Sequence, residues 1–311
     1  MTDATPRPVV VGIDGSEGSR LALAWAVEEV TRQHLPLMAL CAWQSDYAPE
    51  TVAPLVSTIE EQCRSVLETA TADVRKLSPG IDLRTRIVHA QPASALIASS
   101  RHAHTVVVGS RGLGAVKEAL VGSTSMQLAA YASCPVVVVR EVAARHGANR
   151  RVFVGVDGSD LSTEATGYAF EQASQRGLGL TVLHAWDATV YTSSVAMSAL
   201  AETWNDLEVE QDGITSAAIA GWTEKYPDVD VRTQVLQGRP ADILVDASGG
   251  AELVVVGSRG RGGFRGLLLG SVSRSVLHRA HCPVAVIRPF PHHDSDTHAS
   301  GHLPTPPVRQ R

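Results

Sequence analysis

The chain has 311 residues, with 27 Lys plus Arg against 32 Asp plus Glu. The resulting formal charge of −5 gives no bulk electrostatic pull toward nucleic acid or a membrane surface. Its 44% hydrophobic residues are enough for two cores, which excludes intrinsic disorder and fibrous classes for the bulk of the chain.

Short β-branched runs alternate with segments of helical period. Strands are expected near Pro8 to Asp14, Pro36 to Trp43, Asp82 to Val88, Thr105 to Gly109 and Pro135 to Arg140. They lack polar alternation, as strands covered on both faces do. Between the first two, Ser16 or Ser19 can cap a helix running to about Gln33, with Leu23, Val27 and Val30 on one face. A second helix is expected from about Val56 to Leu77, and Gly122-Ser123-Thr124 opens the last one. Right-handed crossovers between such strands make a doubly wound α/β fold, a Rossmann-like parallel sheet with helices on both faces.

The chain then repeats itself. Val11-Gly12-Ile13-Asp14-Gly15-Ser16 recurs as Val154-Gly155-Val156-Asp157-Gly158-Ser159, and Ala42-Trp43 as Ala185-Trp186, both at an offset of 143. From Gln91-Pro92-Ala93, matched by Arg239-Pro240-Ala241, the offset is 148, and Cys134-Pro135-Val136 faces Cys282-Pro283-Val284 at that spacing. Two tandem domains are therefore expected, residues 1–143 and 150–290, followed by a Pro/His-rich disordered tail, 291–311. The polar start, Met1 to Pro8, runs straight into Val9-Val10-Val11, and no apolar run reaches membrane-spanning length. A cytoplasmic protein with no membrane partner is the expectation. The four cysteines contain no CxxC pair, so neither a disulfide framework nor a zinc-ribbon site is expected, no metal-ligand residue is assigned, and the thiols should stay reduced.

The chemistry concentrates after the fourth strand. The first unit reads Gly109-Ser110-Arg111-Gly112-Leu113-Gly114-Ala115 and then Gly122-Ser123; the second reads Gly257-Ser258-Arg259-Gly260-Arg261-Gly262-Gly263 and then Gly270-Ser271. Both fit G-x2-G-x9-G-S. Glycines let backbone amides approach an anion, and the N-terminus of the next helix adds free N–H donors, so each loop is a candidate phosphate cradle. There is no Gly-Lys dipeptide for a Walker loop, and no G-x-G-x-x-G follows either first strand, which excludes the P-loop kinase and NAD-dehydrogenase readings. Asp14 and Asp157 end the first strands; each can contact the ligand or a divalent ion on its phosphates, or cap the next helix. Asp187 follows the second strand of the second unit, where such folds contact ribose or base, and Gln44 stands there in the first.

At these residues the sequence resembles the universal stress protein family, in a tandem two-domain form. The likeness runs from about Pro8 to Pro289 and rests on the VGxDGS opening, the glycine loop and the closing CPV strand. It implies strand order 3-2-1-4-5 in each five-stranded sheet, pairing through the fifth strand, ATP as ligand with Mg2+, and a stress-response role. It implies that Gly12, Asp14, Gly109, Ser110, Arg111, Gly112, Gly114, Gly122 and Ser123 hold one ATP, with Leu113 and Ala115 in the same loop. Gly155, Asp157, Asp187, Gly257 to Gly263, Gly270, Ser271 and Val272 would hold a second. The first loop is poorer in glycine and arginine: Leu113, Ala115 and Val116 stand where the second unit has Arg261, Gly263 and Phe264.

No catalytic residue is expected. His89 aligns with Gln237, His104 with Glu252 and His281 with Ser133, so no histidine near a loop recurs to serve as a base. Three functions stay open on the sequence: an ATP-binding regulatory module read by a protein partner, acting as a homodimer; a slow ATPase or adenylyl-transferring enzyme; and an interaction protein with empty loops. The hydrophobic edge strands Pro135 to Arg140 and Pro283 to Arg288 are expected to pair, between or within chains.

Overall fold

The computed structural model of the chain describes residues 6–44, 53–113, 121–140, 150–187, 211–261 and 268–289. Gly114, Ala115, Gly262, Gly263, residues 144–149 between the two expected domains and the expected tail lie outside these residues.

The first half runs β1 (Val9–Gly12), α1 (Glu17–Gln33), β2 (Leu37–Trp43), α2 (Ala53–Leu77), β3 (Leu83–His89), α3 (Pro92–Ser100), β4 (Thr105–Gly109), α4 (Ser123–Tyr131) and β5 (Val136–Val139). The second half begins with β6 (Arg151–Val156), α5 (Asp160–Arg176) and β7 (Gly179–Trp186). After the helical residues 211–219, here α6, come α7 (Trp222–Lys225), β8 (Val231–Gln237), α8 (Pro240–Ala247), β9 (Ala251–Gly257), α9 (Ser271–Arg279) and β10 (Val284–Ile287). The elements follow the βαβ alternation expected from the sequence. Strand ends are shorter than the apolar runs because Pro8, Ile13, Asp14, Pro135 and Arg140 already belong to the turns.

Strand order is β3-β2-β1-β4-β5-β10-β9-β6-β7-β8, one sheet of ten strands. Each half is parallel with order 3-2-1-4-5, as expected, and the halves join where β5 and β10 run antiparallel, Val138 opposite Val284 and Val136 opposite Val286. The two hydrophobic edges thus cover each other within the chain, and neither is left for a second copy. The outer edges, β3 and β8, carry exposed Arg84, Thr85 and Arg86 and exposed Arg232, Thr233 and Gln234, side chains that discourage further strand addition.

Period-two alternation divides the core between the two faces. Val9, Val11 and Val107 pack with α1, α2 and α5 on one face. Val10, Val106 and Val108 pack with α3, α4, α8 and α9 on the other. Both faces continue across the β5/β10 seam, so the halves share cores.

Two polar devices reinforce the seam. Glu29 of α1, 1% exposed, accepts from Gln172 of α5 and forms an ion pair with Arg176 at 2.7 Å, and the Arg176 guanidinium lies 5.0 Å from the Trp25 ring centre. On the other face, Arg140 after β5 donates to the carbonyls of Leu277, His278 and Ala280 at the end of α9. Arg288 after β10 reciprocates, donating to Ala129 and Ala130 at the end of α4 and to Leu268. Each guanidinium supplies donors and positive charge to a helix C-terminus that ends in unpaired carbonyls. Burial, more than repulsion from Arg111 or Arg259, lowers the pKa of both arginines. Among the described residues no helix is long and apolar enough to cross a membrane.

Candidate functional site

A parallel doubly wound sheet opens a crevice beyond the carboxyl ends of its strands, between the first and fourth. Here there are two such crevices, and the antiparallel seam turns them to opposite ends of the ten-stranded sheet. The first is a cavity of about 380 Å3 lined by Gly12, Asp14, Arg111, Gly112, Leu113, Gly122, Ser123 and Thr124 among others. The second, about 400 Å3, is lined by Gly155, Asp157, Arg259, Gly260, Gly270, Ser271 and Val272 among others. Both volumes fall within the range of small-molecule pockets.

Each loop is built the same way. Ser110 N–H donates to Val139 at 2.6 Å, and the Ser110 carbonyl accepts from Gly122 at 2.7 Å; Ser258 does the same with Ile287 and Gly270, at 2.7 Å each. These bonds pin the start of the loop to the fifth strand and bring the next helix back against it. Gly122 and Gly270 stand at the N-caps of α4 and α9, and no side chain caps either helix. The first-turn amides of both therefore face their cavities without an intrahelical acceptor. The neighbouring helices α1 and α5 contrast with this, since Ser16 and Ser159 cap them through Ser19 N–H and Ser162 N–H.

Asp14 and Asp157 clamp the loops. One oxygen of Asp14 accepts from Ser16 N–H at 3.0 Å and Ser16 Oγ at 2.6 Å, while the other accepts from Leu113 N–H at 3.0 Å. Asp157 repeats this with Ser159 and with Arg261 N–H at 2.8 Å. The capping function belongs to the serines, and the aspartates hold the capping turn against the glycine loop. This explains the glycines at 112 and 260: a Cβ on Gly260 would fall on an Asp157 oxygen, and one on Gly112 on an Asp14 oxygen. At the loop start, a Cβ on Gly109 would lie 2.5 Å from the Gly18 backbone.

Most of the site residues expected from the sequence converge. Ser110 and Ser258 are buried and act through their backbones, and Ser258 Oγ is buried without a partner. Arg261 reaches across its site to the Gly158 carbonyl at 3.2 Å, whereas Leu113 at the equivalent place is 75% exposed. Asp187 follows β7, half-buried, and is not among the residues lining the second cavity. Gly114, Ala115, Gly262 and Gly263 lie outside the described residues.

Sequence reasoning missed the apolar half of each wall. Leu40, Ala42, Pro92, Leu96 and Val108 line the first cavity, and Leu183, Ala185, Pro240, Leu244 and Val256 line the second. The signal was available in the recurring prolines at the first position of α3 and α8. Such a wall suits a flat, weakly polar group, and the loop and uncapped helix end suit an anion.

Among the described residues no group of three His, Cys, Asp or Glu could hold a metal ion. Among the described residues each site offers one carboxylate, already engaged with its loop. The donor set therefore does not fit a protein-held Mg2+.

A family model described as the universal stress protein family matches residues 6–140 and 148–288. A universal stress protein of Mycolicibacterium smegmatis (strain ATCC 700084 / mc(2)155) is 38% identical over 294 residues, covering 92% of this chain and 98% of that protein. One from Mycobacterium tuberculosis (strain ATCC 25618 / H37Rv) is 37% identical over 292 residues, covering 90% and 96%. In fold, the chain is similar to a universal stress protein of Archaeoglobus fulgidus DSM 4304, with TM-score 0.66 and 21% identity, covering 92% of this chain and 99% of that one.

Proposed function

The chain belongs to the universal stress protein family, and from that premise we propose that it is an ATP-binding regulatory protein with one nucleotide in each half and little or no hydrolysis. The observation that carries this reading is the doubled cradle: two cavities, each closed at one end by a glycine loop and an uncapped helix N-terminus and walled at the other by aliphatic side chains. The phosphates belong on the amides of residues 123–125 and 271–273, with Arg111 and Arg259 beside them, and the base belongs against Leu40 and Leu96 or Leu183 and Leu244. Magnesium would arrive on the phosphates, with phosphate and water supplying its remaining ligands.

The ionisable side chains among the described lining residues are aspartate and arginine. Both aspartates are tied to backbone amides and serine, so the reading assigns no general base to activate water. Two arginines at 259 and 261 favour tighter binding in the second half, because the first has only Arg111 with Leu113 beside it. A regulatory partner would read a surface that nucleotide alters. A homodimer of this chain would use β3, β8 or a helical face, since β5 and β10 are spent on each other.

Calorimetric titration of the purified chain with ATP and magnesium, followed by a phosphate-release assay, tests the proposal. Two binding events with negligible phosphate release are expected. No heat and no retained nucleotide at millimolar ATP would overturn binding, and steady turnover would favour the ATPase reading.

A further inference from the structure

The strongest unassigned chemistry lies behind the first cavity. Cys41 of β2 and Cys63 of α2 are 4% and 7% exposed, both are free thiols, and their sulfurs are in direct contact, 2.8 Å apart. The sequence concealed this pair because 22 residues separate its members. The other two cysteines make no such contact: Cys134 and Cys282 each face the carbonyl of the following proline, at 3.5 and 3.3 Å.

The second half places a different contact between the same pair of elements. At the repeat offset of 143 the counterpart of Cys41 is His184, and Gln211 stands on α6, the helix between β7 and β8 as α2 lies between β2 and β3. His184 Nε2 and Gln211 Oε1 are 2.8 Å apart, a hydrogen bond that ties the second strand to the second helix. The same pair of elements thus carries a link that cannot be oxidised in one half and a dithiol in the other. Leu40 and Ala42, which flank Cys41 along β2, both line the first cavity, and the charge of Asp14 is felt at the Cys41 thiol.

We propose that Cys41 and Cys63 are a redox modification site, at which hydrogen peroxide converts the dithiol to a disulfide joining β2 to α2 in the first half alone. One thiolate attacks a peroxide oxygen and breaks the O–O bond; the hydroxide expelled takes up a proton and leaves as water, and the sulfur becomes a sulfenic acid. The second sulfur attacks that sulfenic sulfur and displaces its hydroxyl, which leaves as a second water. Two thiols lose two electrons and peroxide gains them. A dithiol reductant reverses the modification by exchange. Burial, with Cys63 adding to it, pushes the Cys41 thiol well above the ordinary thiol range, so the reaction accelerates as pH rises.

The test treats the folded full-length protein with hydrogen peroxide, removes the oxidant, unfolds the protein and counts thiols while peptide mapping locates any link. The expected result is a fall from four thiols to two, with Cys41 and Cys63 in one linked peptide, Cys134 and Cys282 unmodified, and full recovery with dithiothreitol. In Cys63→Ser, the linked peptide is absent and the peroxide-driven loss of two thiols disappears. Four thiols remaining in the folded wild type, loss spread evenly over all four, or oxidation of Cys41 and Cys63 to separate sulfinic acids would each overturn the proposal. The result is independent of whether nucleotide binds.

Discussion

Replacing Gly260 by alanine puts a Cβ on the Asp157 carboxylate, inside contact distance of one oxygen and 3.2 Å from Cγ. The nearest atoms belong to the residue that clamps the loop, so relief requires Asp157 to turn away or the loop to lift. Either movement breaks the 2.8 Å bond from Arg261 N–H. Hydrogen bonds to charged groups contribute about 1.5–3 kcal/mol, and the exposure of this one moves the expected cost to about 1–2 kcal/mol. If the loop must be clamped to bind phosphate, that cost appears in affinity, where about 1.4 kcal/mol is tenfold, giving roughly a 5- to 30-fold weaker second site. Gly260→Glu adds bulk and negative charge inside the cradle, and its expected loss is well over tenfold. The assay is calorimetry with ATP, using the first site in the same molecule as internal control. An Asp157→Ala background makes the reasoning sharper: with the obstructing carboxylate gone, Gly260→Ala should cost little more. Unchanged affinity of the second site in Gly260→Ala, or full additivity with Asp157→Ala, would refute the clamp.

Glu29→Ala takes from Arg176, 4% exposed at the side chain, the nearer of its two carboxylates and leaves it Glu252 at 3.9 Å and the Gln172 side-chain oxygen at 3.0 Å, so stability should fall by about 2–4 kcal/mol in urea unfolding, below the full cost of an uncompensated buried charge. Replacing both Glu29 and Arg176 by leucine should cost less than Glu29→Ala, because the buried guanidinium goes with its partner and the remaining cost is the buried Gln172 amide that loses its acceptor. Arg140→Ala leaves the carbonyls of Leu277 and Ala280 short of donors and should cost about 2–3 kcal/mol by the same measurement, with Arg288→Ala comparable by pseudo-symmetry. The hydrogen bond from Arg151 holds the Asp230 carboxyl below the usual carboxylate range. A depressed carboxylate stabilises the fold above its unfolded pKa of about 3.9, and that contribution disappears as pH falls through the lower folded value. The stability difference between wild type and Asp230→Asn should therefore be present at neutral pH and shrink progressively below about pH 4; a difference constant down to the acid limit would contradict the pairing.

The local grammar of the chain was legible because it depends on near neighbours. Runs such as Val106 to Val108 are apolar without alternation, which announces strands covered on both faces, and all four residues of β5 and of β10 are indeed buried. The offset between Gly12 and Gly155, and between Gly112 and Gly260, located two equivalent loops without any knowledge of where they point. Less could be read where a residue had two chemically sound uses. Asp14 could cap a helix or meet a ligand on its side chain alone; the fold gave it a third use, bracing Leu113 from 99 residues away. Asp187 illustrates the opposite case, a carboxylate at a promising strand end that does not line the cavity.

By itself, the amino-acid order determined that there would be two units of alternating strands and helices with glycine-rich turns after their fourth strands, since hydrophobic period and backbone permissiveness are properties of short stretches. Only the tertiary structure decided that β5 would meet β10 of its own chain, that leucines from a strand and a helix would share one cavity wall, and that Cys41 would lie against Cys63. Those outcomes depend on how the two halves join into one sheet and how helices settle across it, and packing of that kind is specified by the whole surface rather than by any stretch of it.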